Sequence, residues 1–229
     1  MVPVRTRSSK RRVRSTMDSV LLHDMKNMGQ RLQLALSNVD EHYDDPEFKR
    51  SVTELLRNTV ERLEFMATQW AGRSDGVLIK VPLDVNELLD ELLRTSPGPK
   101  GPVSVGTAFG DPPKVWGDPT LLREALASIL ENALEAAAAR VSVRTNAEGR
   151  GRRRKAVLEI EDDGPGITED FLRNRLFRPF QTTKSDGVGL GLYSANQIVG
   201  LHRGVIEVRS ASGEGTTVRI SLPAAGGER

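Results

Sequence analysis

Apolar residues recur at Leu21, Met25, Met28, Leu32, Ala35 and Val39, with spacings of 4, 3, 4, 3 and 4. That rhythm is a heptad seam along one side of a long helix. "HYDDP" interrupts it, and Pro46 is well placed to open a second helix. The seam then resumes at Val52, Leu56, Thr59, Leu63, Met66 and Trp70 with the same spacing. Two long helices joined by a short turn form an antiparallel hairpin. One hairpin cannot enclose a core, whereas two of them make a four-helix bundle. The pattern therefore predicts a homodimer through the hairpin.

After "GRSDG" the pattern changes. "VPLDVNELLDELLRT" reads as a short strand and a helix with Asp84 as its N-cap. "VSVGTAF" alternates as a strand does, and "PTLLREALASILENALEAAAAR" (119–140) is a helix rich in Ala and Leu. "VSVRT" and "AVLEIED" are strands on either side of a basic loop. "GVGLGLYSANQIVG" opens a helix, and "GVIEVRS" with "TTVRISLP" closes the chain as a hairpin. Helices mixed with mostly antiparallel strands give an α+β fold, a sheet with helices on one face. The domains follow: a basic tail 1–15, the hairpin 16–72, a linker 73–80, the α+β domain 81–224 and a tail 225–229.

Composition narrows the chemistry. The 229 residues carry a net charge of only +2, so no global affinity for polyanions is expected, and no specific nucleic-acid partner. The basic runs "RTRSSKRRVR" and "RGRRRK" read as a tail and a solvated loop. There are 0 cysteines, which excludes disulfides and thiolate metal sites. No run of 18 apolar residues is present, so a membrane is reached only through an anchor ahead of the basic segment.

Four separated signals carry candidate chemistry. Asn132 sits inside a helix, where asparagine is unfavourable without a partner, and its amide oxygen suits a hard cation. "DDGPGI" offers Asp162, Gly164, Gly166 and Ile167: a carboxylate able to accept from an exocyclic amine, beside glycines that let backbone approach a ligand. "LFRPF" contributes Phe177 and Phe180. "QTTKSDGVGLGL" contributes Thr183, Lys184, Gly187, Gly189, Leu190 and Gly191, with a helix N-terminus whose free amides suit phosphates. Taken singly, each has a bland reading as a surface polar residue or a turn.

In this order they resemble the N box, the two G boxes and the F box of the ATP-binding domain shared by histidine kinases, gyrase, the Hsp90 chaperone and MutL. The likeness extends to "WGDPTLLREAL" and "GEGTTVRISLP". It implies an α/β sandwich ATP-binding domain of the GHKL (Bergerat) type. ATP and Mg²⁺ would be its cofactors, with Asn132 holding the metal and Asp162 contacting the adenine amino group. Gly164 and Gly166 would shape the adenine wall, and Phe177 and Phe180 would anchor the lid. Lys184, Gly187, Gly189 and Gly191 would line the phosphates.

The hairpin then gains a meaning. "HDMKN" resembles the phosphoacceptor box of sensor histidine kinases, with His23, Asp24 and Asn27 in the family's positions. The resemblance implies that His23 takes the phosphoryl group and that Asp24 helps deprotonate it. Asn27 would orient water when a phosphorylated partner is dephosphorylated. It also implies a response-regulator receiver domain as partner and a cytoplasmic setting. At about 100° per residue, His23 lies about 160–200° from Leu21 and Met25, facing away from the seam. Two positions depart from the pattern: Ser128 stands where a first asparagine is usual, and Glu135 where Lys or Arg is usual. Rival readings are a GHKL-type ATPase, a dimeric pseudokinase scaffold and an anti-sigma serine kinase. An ATPase of that type places its base glutamate four residues before the asparagine, and here that residue is Ser128.

Overall fold

The computed structural model describes residues 4–5, 28–71, 78–96, 101–184 and 189–226. The chain forms two compact units, Ser8–Val77 and Met1–Arg7 with Leu78–Arg229. Among the described residues no helix is long and apolar enough to cross a membrane.

The first unit is helical from residue 28 to 37 (α1), turns at Asn38, and continues as α2 (Val39–His42) and α3 (Pro46–Ala71). The long first helix expected from the seam is thus interrupted one turn before its end. Ser37 Oγ and Asn38 Nδ2 both donate to the Leu34 carbonyl, at 2.9 and 3.0 Å, diverting an acceptor of the helical ladder. Asp45 Oδ1 accepts from the Glu47 amide at 2.8 Å, and Pro46 supplies the first helical position of α3. The first seam is visible in exposure: Met28 is buried, and Leu32, Ala35 and Val39 are half-buried. On α3 the seam divides into two rows. Val52, Leu55 and Thr59 are the less exposed row, while Leu56, Val60 and Leu63 remain 50%, 51% and 48% exposed. A helical apolar stripe about 100° wide accommodates two such rows side by side.

The second unit is a layer of helices on a sheet. Strands β1 (Val4–Arg5), β3 (Ser104–Phe109), β5 (Arg140–Glu148), β6 (Lys155–Asp162), β7 (Val205–Ser210) and β8 (Thr216–Pro223) lie in the order β1-β7-β8-β6-β5-β3. Only β3 with β5 is parallel. A small separate pair joins β2 (Val81–Leu83) to β4 (Val115–Gly117). The pairing of Val4 with Val208 and of Arg5 with Glu207 departs from the structureless tail expected for residues 1–15. The edge of β7 offers unpaired backbone groups, and even a short segment can use them.

Helices α4 (Val85–Thr95), α5 (Pro119–Ala136) and α7 (Gly191–Leu201) bury one face of the sheet, with α6 (Glu169–Asn174) at one end. Strand alternation sends Ala156, Leu158 and Ile160 of β6 inward against Leu126, Ile129 and Leu130 of α5. The other face carries a cross-strand ladder of alternating charge. Arg144, Glu159, Arg219 and Glu207 lie directly opposite one another across β5, β6, β8 and β7. Arg219 Nη1 reaches Glu159 at 2.5 Å. The register sets Arg5 opposite Glu207 at the end of the row.

Side-chain caps fix where the helices begin and stop. Asp84 accepts from Asn86 N at 2.9 Å, as its position in the sequence suggests. Asp118 accepts from Thr120 N and Leu121 N at 3.1 and 3.2 Å ahead of Pro119. α5 ends at Ala136, four residues short of the expected 140. The amides of Ala138, Ala139 and Arg140 all donate to Asp163 Oδ1 at 3.0 Å, which pulls that stretch out of the helix and into β5. These three bonds hold the Asp163 carboxyl below the usual range for an aspartate.

His202 fastens the other end of the helix layer. Its Nε2 accepts from the Asp118 amide at 2.9 Å, so the Nδ1–H is the donor to the Ile198 carbonyl at 2.7 Å. The imidazole is neutral and buried, and desolvation lowers its pKa from the ordinary 6.5, assisted by the nearby Lys80 charge. The unfolded chain therefore takes up the proton first as pH falls. Stability supplied by the neutral ring is present above 6.5 and declines as pH drops from there toward the folded value. Hydrogen exchange of the α5 amides at a series of pH values should show this loss of protection, and His202→Gln should flatten the slope below 6.5.

Candidate functional site

Three neighbouring strands end in register at one point. Ser210 of β7 lies opposite Thr216 of β8, and Thr216 lies opposite Asp162 of β6. Asp162 is the inward-facing residue that follows Leu158 and Ile160 in the alternation, so the strand itself buries a carboxylate. It is 7% exposed. Burial pushes its pKa upward from 3.8, and the neighbouring Asp163 and Glu161 charges add to that. The Gly164 amide, 3.0 Å away, and the Thr216 amide act in the opposite direction by hydrogen bonding to it.

The turn after Asp162 is packed against backbone. A Cβ on Gly164 would come within 2.3 Å of the Ala136 carbonyl oxygen. Gly166 has φ +69° and faces the Ala211 carbonyl oxygen, which a Cβ would meet at 2.0 Å. Gly215, at φ +77°, passes over the Asp162 carbonyl in the same way. Ser210 Oγ joins these pieces: it donates to the Gly215 carbonyl at 2.6 Å and accepts from the Ile167 amide at 2.8 Å. Ser210, Gly215 and Thr216 were not among the sequence candidates. Only "GEGTT" hinted at them, and strand register is what brings them to Asp162.

A second wall comes from α5 and the start of α7. Asn132 is half-buried on α5. A Cβ on Gly191 would lie 2.4 Å from Ser128 Oγ and 3.6 Å from Asn132 Nδ2. The small Ser128 and the bare Gly191 thus let the α7 N-terminus approach α5 closely, which gives the first departure from the family pattern a steric reason. With its nitrogen toward α7, Asn132 turns Oδ1 to Lys184 Nζ, 2.9 Å away. The same ammonium bonds Glu135 Oε2 at 2.5 Å. Asn132 and Glu135 are about one helical turn apart and share that face of α5.

Residues 176–184 and 189–190 lie in the chain between α6 and α7. Leu176 is buried, and Phe177 packs against the core. Phe180 takes φ +62°, rare for a side chain of its size, and its amide donates to the Gly189 carbonyl at 3.0 Å. Gly189 has φ +73° and sits over the Gln181 backbone, 2.6 Å from the position of a Cβ. Both ends of the loop are therefore held together. Thr183 is exposed, and Leu190 is the residue ahead of α7. Gly187, and on the other unit His23, Asp24 and Asn27, lie outside the described residues. The structure thus joins Asn132 to Lys184 and seats Asp162 among Gly164, Gly166 and Ile167. Among the described residues no group of three or more His, Asp or Glu could hold a metal ion by itself, so any cation here needs further oxygens from a ligand or water.

The Asp162 turn with its close-packed glycines, and the Asn132–Lys184 pair near the start of α7, are groups able to hold a nucleotide. Residues 117–226 match the family of histidine kinase-, DNA gyrase B- and HSP90-like ATPases. The sensory histidine kinase/phosphatase NtrB of Rhodobacter capsulatus is 30% identical over 238 residues, covering 91% of this chain and 62% of its own. The solved mycobacterial sensor histidine kinase MprB is 31% identical, with a TM-score of 0.54 over 63% of this chain and 97% of its own. The histidine kinase ThkA, solved in complex with the response regulator protein TrrA, shares the fold at 23% identity with a TM-score of 0.63, covering 96% of this chain and 66% of its own. The chain belongs to the sensor histidine kinases. It spans 62% and 58% of the length of two NtrB relatives that it matches along most of its own.

Gly166→Ala tests the packing of the turn. A positive φ and a carbonyl 2.0 Å from the added carbon both oppose it. The variant should lose about 1–3 kcal/mol of stability, measured by urea unfolding.

Proposed function

We propose that this chain is the catalytic core of a homodimeric sensor histidine kinase. It transfers the γ-phosphoryl group of ATP to His23, and the group then passes to an aspartate of a response-regulator receiver domain. The observation that carries the reading is the pairing, in one chain, of an ATP-family pocket with a helical hairpin that follows "HDMKN". Similarity to a histidine kinase/phosphatase over 91% of the chain supports it. The same chemistry, run on intracellular ATP, sets the chain in the cytoplasm, either alone or as the inner part of a membrane sensor.

The residues present suit the roles. Asp162, as a carboxylate, accepts from the adenine amino group at the inner end of the pocket. Gly164, Gly166 and Ile167 form the wall beside it, and Phe177 and Phe180 hold the lid at its base. The α7 N-terminal amides near Gly189, Leu190 and Gly191 suit the phosphates, and Gly187, Thr183 and Lys184 of the lid would line them. Asn132 Oδ1 is turned outward with a cation on it, so it fits a Mg²⁺ ligand, and Mg²⁺ would neutralise phosphate charge.

At the acceptor, Asp24 orients the imidazole of His23 and takes its proton, leaving a neutral nitrogen free to attack. Asn27 holds water for the reverse, phosphatase reaction. A GHKL hydrolase is disfavoured, because Ser128 has no carboxylate to act as base. The exposed row Leu56, Val60 and Leu63 supports dimerisation, since a second hairpin would cover it.

Incubation with γ-labelled ATP should give an acid-labile, base-stable phosphoprotein. His23→Ala should abolish it, and label retained in that variant would refute the assignment. Affinity for the analogue AMPPNP should fall with decreasing pH, beginning above 3.8, because Asp162 takes its proton earlier than an ordinary aspartate. Leu56→Asp with Leu63→Asp should convert the dimer to a monomer in sedimentation experiments.

A further inference from the structure

Glu135 is the second departure from the family pattern, and the structure gives it a specific neighbour. One ammonium, Lys184 Nζ, bonds the Asn132 amide oxygen at 2.9 Å and the Glu135 carboxylate at 2.5 Å. Two oxygen donors of α5 therefore converge on one cation. The Asn132 amide nitrogen lies on the Gly191 side, so its oxygen faces Lys184. A single neutral amide oxygen is a weak holder of a divalent cation, and Mg²⁺ sites ordinarily combine one or two carboxylates with substrate phosphates and water. Lys or Arg in place of Glu135 would repel the cation, whereas Glu135 attracts it.

We infer that Glu135 is a second oxygen donor, beside Asn132, to the divalent cation that accompanies ATP, directly or through one of the cation's waters. Lys184 holds the same two oxygens in this structure and gives them up to the metal, which frees its charge for the phosphates. The inference rests on the ATP reading above and adds to it the residue that supplies negative charge at the metal. It also makes Lys184 and the metal competitors for one cradle. Removing the lysine should then tighten the metal while weakening the nucleotide, two effects of opposite sign from one side chain.

The test is calorimetric titration of AMPPNP into the full chain across a series of Mg²⁺ concentrations. It reads the Mg²⁺ concentration at which nucleotide affinity is half-enhanced. Glu135→Gln should raise that midpoint on the order of tenfold, as loss of a group supporting a metal commonly does. Glu135→Asp, which keeps the charge, should recover part of it. Lys184→Met should lower the midpoint while weakening affinity at saturating Mg²⁺. An unchanged midpoint in Glu135→Gln, with Asn132→Ala strongly shifted, would leave Glu135 a mere tether for Lys184 and overturn the inference alone. An unchanged midpoint in Asn132→Ala as well would overturn the metal reading beneath it.

Discussion

The pocket depends on one buried carboxylate. β6 alternates side chains between the core and the solvent, and that alternation leaves Asp162 on the core side at the strand's last position. An ionised group there loses water and has to be solvated by backbone. The amides of Gly164 and Thr216 do this, and both require the chain to fold back tightly over the strand end. Gly166 and Gly215 have positive φ for that reason, and Ser210 fastens the two crossings to each other. Burial outweighs these two bonds and keeps the pKa of Asp162 above its ordinary value.

Its neighbour Asp163 has the opposite environment and the opposite task. It lies on the outer side of the turn and gathers three backbone amides on a single oxygen. The two adjacent aspartates thus divide the work, one toward ligand chemistry and the other toward ending α5 and starting β5. A buried carboxylate and a helix stop thus sit on adjacent residues, Asp162 and Asp163. The outer sheet face repeats the logic on a larger scale, with arginines and glutamates placed so that each strand's charge answers the next.

Much of this was legible in the residues. Strand alternation, the Asp84 cap, the closing β-hairpin and the second helix beginning at Pro46 all depend on local periodicity, which a sequence displays. Gly164, Gly166, Gly189 and Gly191 were legible as close-approach positions, since a Cβ at each would meet neighbouring backbone or a packed side chain. What escaped depends on contacts between distant segments. Asp163 ends α5 from over twenty residues away, a helix stop that no local cap signal announces. The division of α3 into two rows, one led by Val52 and Leu55 and the other by Leu56 and Leu63, does not show in a single seven-residue rhythm. Val4 and Arg5 pair with β7 because a sheet edge is open, and two residues are too few to carry a period. Lys184 with Glu135 joins loop to helix across 49 positions, which a list of motifs treats as two separate entities.

The two fastenings between α5 and α7 carry a mechanical consequence. Near its start α7 is wedged against Ser128 and Asn132 at Gly191, and at its end His202 is bonded to the residue capping α5. The helices run antiparallel and are held at both ends of their contact, so sliding or splaying them breaks a part-buried hydrogen bond or opens a gap. A ligand that reaches both the α7 N-terminus and Asn132 therefore meets two helices braced against each other at both ends of their contact.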